Sequence, residues 1–286
     1  MSVRVVTDSA SSIVEADRLR LGIEVVPLHV ISDGRQLSEA ELLEPGFYDR
    51  LFRQEGLPST SQPSPEEFAQ VFGRLAAEGH EVLAVLISAG MSSTVDSARI
   101  AVQMVRAERP DARIEIVDSR SNSLEEGFAV LSAAEQAAAG APLEQCKQAA
   151  EDTVLRTRFL FTPHSLEYLR RGGRISGAAA LLGVMLKIAP ILTANDGTTG
   201  VAAVARSGRA ARARVASLMR ADIERCGLKR ATVQYIADEQ EATAFASEVI
   251  EPVAREPVPI VPIHPIIGVH VGPAVGVVYE TVEPLR

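Results

Sequence analysis

The sequence predicts two α/β lobes: residues 1–155 around a parallel sheet, and residues 156–286 around a mixed or antiparallel one. Three observations predict them. Strand-like apolar runs alternate with amphipathic helix patterns through the first half, the order that builds right-handed parallel α/β units. In the second half, Asn195-Asp196-Gly197 joins two apolar runs as a hairpin signal. The charge also divides. Residues 1–155 hold 13 basic and 25 acidic side chains, whereas residues 156–286 hold 16 and 12.

Each element has its own local signal. Val3 to Val6 reads as a short strand running into Thr7-Asp8-Ser9, and Ser12 with Glu15 has the spacing of a capping box that opens a helix. Ile23 to Ile31 reads as one strand of branched residues. Ser64-Pro65-Glu66-Glu67 places Ser at a cap, Pro at the first helical position and Glu three residues on, so a helix should run to about Glu78. Glu81 to Ser88 is a continuous apolar run, the pattern of a parallel strand covered on both faces. Val95, Ala98, Val102 and Val105 recur at helical spacing. Ile114 to Val117 is the next strand, and helices follow over about 124–139 and 143–155. Beyond it, Ser165 to Arg171 reads as a short helix and Ile175 to Leu186 as a small apolar one. Ile188–Thr193 and Thr199–Ala205 form the hairpin. An Arg-rich helix (208–226), a strand (Ala231–Ile236), a helix (239–254), a Pro-punctuated stretch (Pro257–Pro265) and a strand (Ala274–Val282) complete the chain.

Composition excludes several classes. At 47% hydrophobic and 23% charged, the 286 residues can bury a sizeable core. A net charge of −8 and the absence of Trp argue against a protein dedicated to nucleic acid. Cys146 and Cys226 form no C-x-x-C pair, so neither a disulfide framework nor a zinc site is expected, and no metal is. The N-terminus has no apolar signal region, and the longest uncharged apolar run, Gly177 to Leu186, is ten residues, too short to span a bilayer. The expected location is cytoplasmic, with at most transient membrane contact. A phosphate-binding P-loop, G-x-G-x-x-G, G-x-S-x-G and H-E-x-x-H are all missing.

The candidate chemistry sits at strand ends. Ser88-Ala-Gly-Met-Ser92-Ser93-Thr94 connects a buried strand to a helix, where N–H groups and the helix dipole suit a carboxylate or phosphate. The plain alternative is capping, with Ser93 at the cap and Asp96 completing a box. Thr60, Ser61 and Gln62 have no local role and are candidates for ligand contact. Asp8-Ser9 and Asp118-Ser119 follow two strands and read as loop-holding residues. His270, in Gly268-Val-His-Val-Gly272-Pro273, is either structural or presented to a ligand through backbone that can approach closely. Arg170, Arg171 and Arg174 flank a Gly-Gly turn, and within residues 156–230 there are 14 basic side chains against 4 acidic. The run containing Leu181, Leu182 and Met185, with Ile188 beyond it, is either a core helix or the lining of an apolar channel.

At these residues the chain resembles the DegV family of bacterial fatty-acid-binding proteins. The likeness rests on Thr7-Asp8-Ser9, Thr60-Ser61-Gln62-Pro63-Ser64, Ile87-Ser88 through Ser92-x-Thr94, Asp118-Ser119 and Gly172-Gly173-Arg174-Ile175. Lys187-Ile-Ala-Pro190-Ile-Leu192 with Asp196-Gly197, and Gly268-Val-His270-x-Gly272-Pro273, complete it in the family's order. The resemblance implies a two-lobed fold with a long-chain fatty acid buried in a tunnel between the lobes and no cofactor. By the same resemblance, Thr60 and Ser92 bind the carboxylate with His270 close by. Ser93 replaces the family's Gly and adds a hydroxyl. Leu181, Leu182, Met185 and Ile188 are the candidates for the acyl lining. Arg174 and Arg206 match basic positions that contact a separate ATP-dependent kinase subunit, to which the protein presents the acid for conversion to acyl phosphate.

Two other classes compete. A Ser-dependent acyl hydrolase or transferase would use Ser92 and His270 with Asp8 or Asp118. A self-contained kinase resembling the dihydroxyacetone-kinase type is disfavoured by the missing phosphate loop.

Overall fold

The computed structural model describes residues 2–53 and 58–285, without the side chains of 184–187. Its strands are β1 (Val3–Asp8), β2 (Glu24–Val26), β3 (His29–Ser32), β4 (Arg35–Gln36), β5 (Ser59–Ser61), β6 (Glu81–Leu86), β7 (Ile114–Asp118), β8 (Thr157–Pro163), β9 (Ala189–Asn195), β10 (Thr198–Ala205), β11 (Arg230–Ile236), β12 (Ile260–Pro262) and β13 (Ala274–Glu280). The helices are α1 (Glu15–Leu21), α2 (Glu39–Leu42), α3 (Phe47–Arg53), α4 (Pro65–Ala77), α5 (Thr94–Glu108), α6 (Ser123–Ala138), α7 (Leu143–Arg156), α8 (Glu167–Arg171), α9 (Gly208–Cys226), α10 (Glu239–Phe245), α11 (Glu251–Ala254) and α12 (Pro265–Val271). Residues Met1–His29 with Thr60–Leu155 form one compact unit; Val30–Ser59 with Arg156–Arg286 form the other.

The first unit is built on a parallel sheet of order β2-β1-β6-β7, with Val5 opposite Leu83 and Val85 opposite Val117. All six residues of β6 are buried, as its unbroken apolar run requires of a central strand covered on both faces. On one face, Phe68, Phe72 and Leu75 of α4 and Val95, Ala98 and Val102 of α5 pack with Val82, Ala84 and Leu86. The α4 cap forms as its residues predict. Ser64 Oγ accepts from Glu67 N at 3.2 Å, Glu67 Oε2 accepts from Ser64 N at 2.7 Å, and Pro65 follows.

Two local expectations fail here for identifiable reasons. Ser12 does not cap α1. It takes a left-handed conformation (φ 52°) after a 3₁₀ turn, Ser9–Ser11, that Asp8 caps, and α1 starts with Val14 at its cap and no side-chain bond. The run Ile23–Ile31 is two strands, β2 and β3, because Pro27 between them has no N–H to give a ladder.

The second unit carries a six-stranded sheet of order β10-β9-β8-β13-β11-β12, antiparallel at each pairing except β11 with β12. The β9–β10 hairpin turns at Asp196 and Gly197, both at positive φ (48° and 79°), which matches the twist of the flanking strands. Leu160, Val277 and Tyr279 of the sheet pack with Val215 and Met219 of α9 and Phe245 of α10. Tyr279 Oη and Arg158 Nη1 both donate to Asp222 Oδ2 at 2.6 Å, so the buried phenol and carboxylate are each satisfied.

Three differences from the expected elements stand out in this unit. The small apolar helix is in 3₁₀ conformation over Ser176–Lys187; Gly177 and Gly183 both lower α-helical propensity within it. The helix over 239–254 is interrupted by a π-helical turn, Ala246–Ile250. The Pro-punctuated stretch contains β12, an edge strand, where Pro is tolerated.

Candidate functional site

In the first unit the carboxyl ends of β1, β6 and β7 are tied together by short polar side chains. Asp8 Oδ1 accepts from Ala10 N at 2.8 Å and its Oδ2 from Ile87 N at 2.9 Å, joining the β1 and β6 ends. Asp118 Oδ1 accepts from Arg120 N at 2.8 Å and from Ala89 N at 3.3 Å, joining β7 to the β6 loop. Ser9 Oγ accepts from Leu28 N at 3.1 Å. Ser119 Oγ accepts from Ser121 N (3.2 Å) and donates to Ser121 O (3.1 Å). All of these hydrogen bonds run to backbone groups.

Held by that frame is the turn that enters α5. Ser92 is half-buried; its hydroxyl lies 2.8 Å from Thr94 Oγ1 and accepts from Thr94 N at 3.3 Å. Ser93 occupies the cap position, but its side chain makes no cap bond, so the expected Ser93–Asp96 box is replaced by Ser92. The exposed Ser93 hydroxyl is uncommitted among the described residues. The first-turn N–H groups of a helix have no partner inside it, so this turn offers hydroxyls and amides to one anionic group. Thr60 is half-buried on β5.

Sequence reasoning missed Glu126 on α6, which is fully buried. Thr7 Oγ1 donates to its Oε1 at 3.3 Å, and its Oε2 has no hydrogen-bond partner among the described residues. Burial, and secondarily the Asp8 carboxylate, raise its pKa well above the ordinary range. The signal was available: Glu125-Glu126 opens an Ala-rich helix, and twelve of its residues from Ser123 to Ala134 are buried.

In the second unit His270 lies on α12, whose sequence PIIGVHV brings three glycine contacts together. A Cβ on Gly268 would lie 2.2 Å from Tyr48 Oη, one on Gly272 2.3 Å from Tyr168 Cδ2, and one on Gly172 2.3 Å from His270 Nδ1. Tyr48 Oη donates to Ile263 O at 3.2 Å, and its ring stacks on Phe52, which meets Tyr168 edge-on at 5.4 Å. The aromatic ladder of α3 thus seats α12 against α8. His264 caps α12 by accepting from Ile266 N at 3.2 Å and bonds Glu39 at 2.8 Å. Burial, with the Arg174 guanidinium adding to it, pushes the His270 imidazole down to about 4, so it is neutral at physiological pH.

Arg174 is half-buried and donates from Nη1 to Gly172 O, the residue whose Cα abuts His270. Arg206 is exposed between β10 and α9 and makes no hydrogen bond or ion pair among the described residues. Leu181 is half-buried and Leu182 is 36% exposed on the 3₁₀ segment. Ile188 lines a cleft beside α9. The Met185 side chain lies outside those described. Ser92 has a threonine, not an imidazole, as its side-chain partner. Among the described residues no group of three His, Cys, Asp or Glu is placed to hold a metal, and no helix is long and apolar enough to cross a membrane.

A parallel-sheet α/β unit joined in one chain to a mixed-sheet unit is a fold shared with solved bacterial proteins. The family model described as an uncharacterised protein of the DegV family matches residues 2–282, and the chain belongs to that family. A DegV domain-containing protein of Clostridium acetobutylicum is 39% identical over 287 residues, covering all of both chains. Among solved structures, the one described as showing fatty acid binding of a DegV family protein from Thermus thermophilus has a TM-score of 0.84 at 33% identity, covering 98% of this chain and 100% of that one. A stearic-acid-binding protein from Eubacterium ventriosum has a TM-score of 0.87 at 26% identity, covering 98% of each chain.

Proposed function

We propose that this protein binds a long-chain fatty acid and presents its carboxylate to a separate ATP-dependent kinase subunit for conversion to acyl phosphate. One observation carries the lipid half of this reading: structures similar over nearly the whole chain, at 33% and 26% identity, are described as binding fatty acid. The head group falls to Thr60, Ser92 and Ser93, with His270 added by resemblance to the family. A neutral His270 donates one hydrogen bond without adding charge, so the hydroxyls and helix amides supply most of the orientation. Leu181, Leu182, Met185 and Ile188 are the acyl-lining residues in this reading. Affinity comes from the tail. Each buried CH₂ contributes about 0.8 kcal/mol, so a 16-carbon chain gains on the order of 10 kcal/mol before the costs of binding.

The kinase half rests on Arg174 and Arg206, whose guanidinium forks suit phosphoryl oxygens and carboxylates. The primary test is mass spectrometry on freshly purified protein, native and after organic extraction. A stoichiometric 14- to 18-carbon acid, about the length of common membrane lipids' chains, is the expected result; protein that is empty and also fails to take up oleate or palmitate overturns the reading. Arg174→Ala is then expected to spare lipid uptake and weaken phosphoryl transfer, and equal loss of both refutes that division of labour.

A further inference from the structure

The second unit contains a cleft that, Ile188 apart, the fatty-acid reading does not use. It opens between α9 and the helical run from α10 through the π turn to α11, with a volume of about 880 Å³. That is within the range of small-molecule sites, roughly 300–1,000 Å³, and far larger than the voids left by close-packed side chains.

Its wall from α9 follows one helical face. Arg209, Arg212, Ala213, Ala216 and Arg220 are spaced by three, four, seven and eleven residues from the first, so they stack along the same side. Cations stand at the two ends of this face, and alanines keep the middle open. Arg209 and Arg220 lie about 16 Å apart along the helix axis.

The charges inside the cleft are unequally committed. Glu241 accepts from Arg212 Nη2 at 2.7 Å and lies 2.9 Å from His164 Nε2, so that carboxylate is already neutralised. Its bond to Glu241 also favours protonated His164, raising the pKa. Arg209 and Arg220 make no hydrogen bond or ion pair among the described residues. The opposite wall comes partly from the π turn, which supplies Glu248 and Val249. Such turns occur in α-helices mostly as single insertions and are frequent at functional sites.

We propose that this cleft binds an elongated soluble bisphosphate, with one phosphate at Arg209 and the other at Arg220. Guanidinium forks pair with phosphate oxygens through two parallel bonds, and a ligand with a single anionic group engages only one end. Glu248, without a hydrogen-bond partner among the described residues, accepts from a hydroxyl on the ligand's body.

Isothermal titration of the full-length protein with fructose 1,6-bisphosphate as the two-ended probe and inorganic phosphate as the one-ended probe tests this. The bisphosphate is expected to bind saturably and about tenfold or more tighter than phosphate. Arg209→Ala and Arg220→Ala should each weaken it about tenfold, and Arg220→Ala should erase its advantage over phosphate. Arg214→Ala, on the same helix but outside the cleft, should leave binding unchanged. Equal affinity for the two probes, no saturable binding, or the same loss in Arg214→Ala overturns the proposal. Oleate uptake measured on the same variants separates this outcome from failure of the fatty-acid reading, since neither Arg209 nor Arg220 has a part in that reading.

Discussion

Replacing Gly268 with Ala sets two known effects against each other. Gly268 lies inside α12, and in a helix interior Ala is favoured over Gly by about 1 kcal/mol. Against this, the new Cβ would sit 2.2 Å from Tyr48 Oη, 2.5 Å from its Cε1 and 2.7 Å from its Cζ. The ring has little room to retreat, being stacked on Phe52, edge-on to Phe47 and hydrogen-bonded to Ile263 O. Overpacking of this kind costs about 1–3 kcal/mol, and with the ring pinned from three sides the upper half of that range applies. A net destabilisation of about 1–2 kcal/mol is therefore expected. The control is Gly73→Ala on α4, where the added Cβ meets only Val105 Cγ2 at an ordinary 3.8 Å and stabilisation by up to about 1 kcal/mol is expected. The chain has four Tyr and no Trp, and Tyr48, Tyr168, Tyr235 and Tyr279 all belong to the second unit. Urea unfolding followed in the tyrosine near-UV band therefore reports the unit containing Gly268, and far-UV signal reports both. A Gly268→Ala protein as stable as wild type, with Gly73→Ala stabilised as expected, would refute the clamp on α12. Tyr48→Ala combined with Gly268→Ala should cost less than the two single changes together.

Glu126 holds its proton more tightly folded than unfolded, where the carboxyl titrates near 4.5. Its stabilising contribution is thus complete below that pH and is lost as pH rises through the folded-state titration. Glu126→Gln should flatten this decline and raise the melting temperature more at pH 8 than at pH 5; a uniform shift at both would contradict the buried-acid assignment. Asp8→Ala removes two backbone partners, Ala10 N and Ile87 N, and is expected to cost about 2 kcal/mol in urea unfolding while leaving the tyrosine transition unmoved. Glu280 is fully buried and accepts from Lys229 Nζ at 2.9 Å and Arg230 Nε at 2.6 Å. Glu280→Ala should cost about 3 kcal/mol in the tyrosine-detected transition, because the half-buried Arg230 cation loses a partner; a change below the error of the fit would place these charges in full solvent.

Much of the fold follows from local pattern. The buried run at Glu81–Leu86, the Ser64–Glu67 box and the turn at Asp196-Gly197 each form as their residues predict, since each depends on neighbours within a few positions. The candidate anion turn was equally visible, because a serine-rich link between a buried strand and an amphipathic helix is a local feature. Its hydrogen bonding was not. Ser92 rather than Ser93 serves the helix start, a choice made by the backbone conformation of the turn. The Asp33-Gly34 turn of the β3–β4 hairpin carried the same signal as Asp196-Gly197, with both residues at positive φ, and went unread.

What the sequence by itself determined is the succession of strands and helices, the parallel character of the first sheet, the hairpin in the second, and the serine, threonine and arginine candidates at their ends. Those follow from periodicity, capping and turn chemistry, all of which act over a few residues. Only the tertiary structure decided that Val30–Ser59 clusters with residues beyond 155, and that Tyr48 sits against Gly268. It alone also buried Glu126 beside Asp8 and lined up Arg209 and Arg220 in one cleft. These are contacts between residues far apart in the chain or on opposed elements, and packing selects them by shape and burial after the local structure has formed.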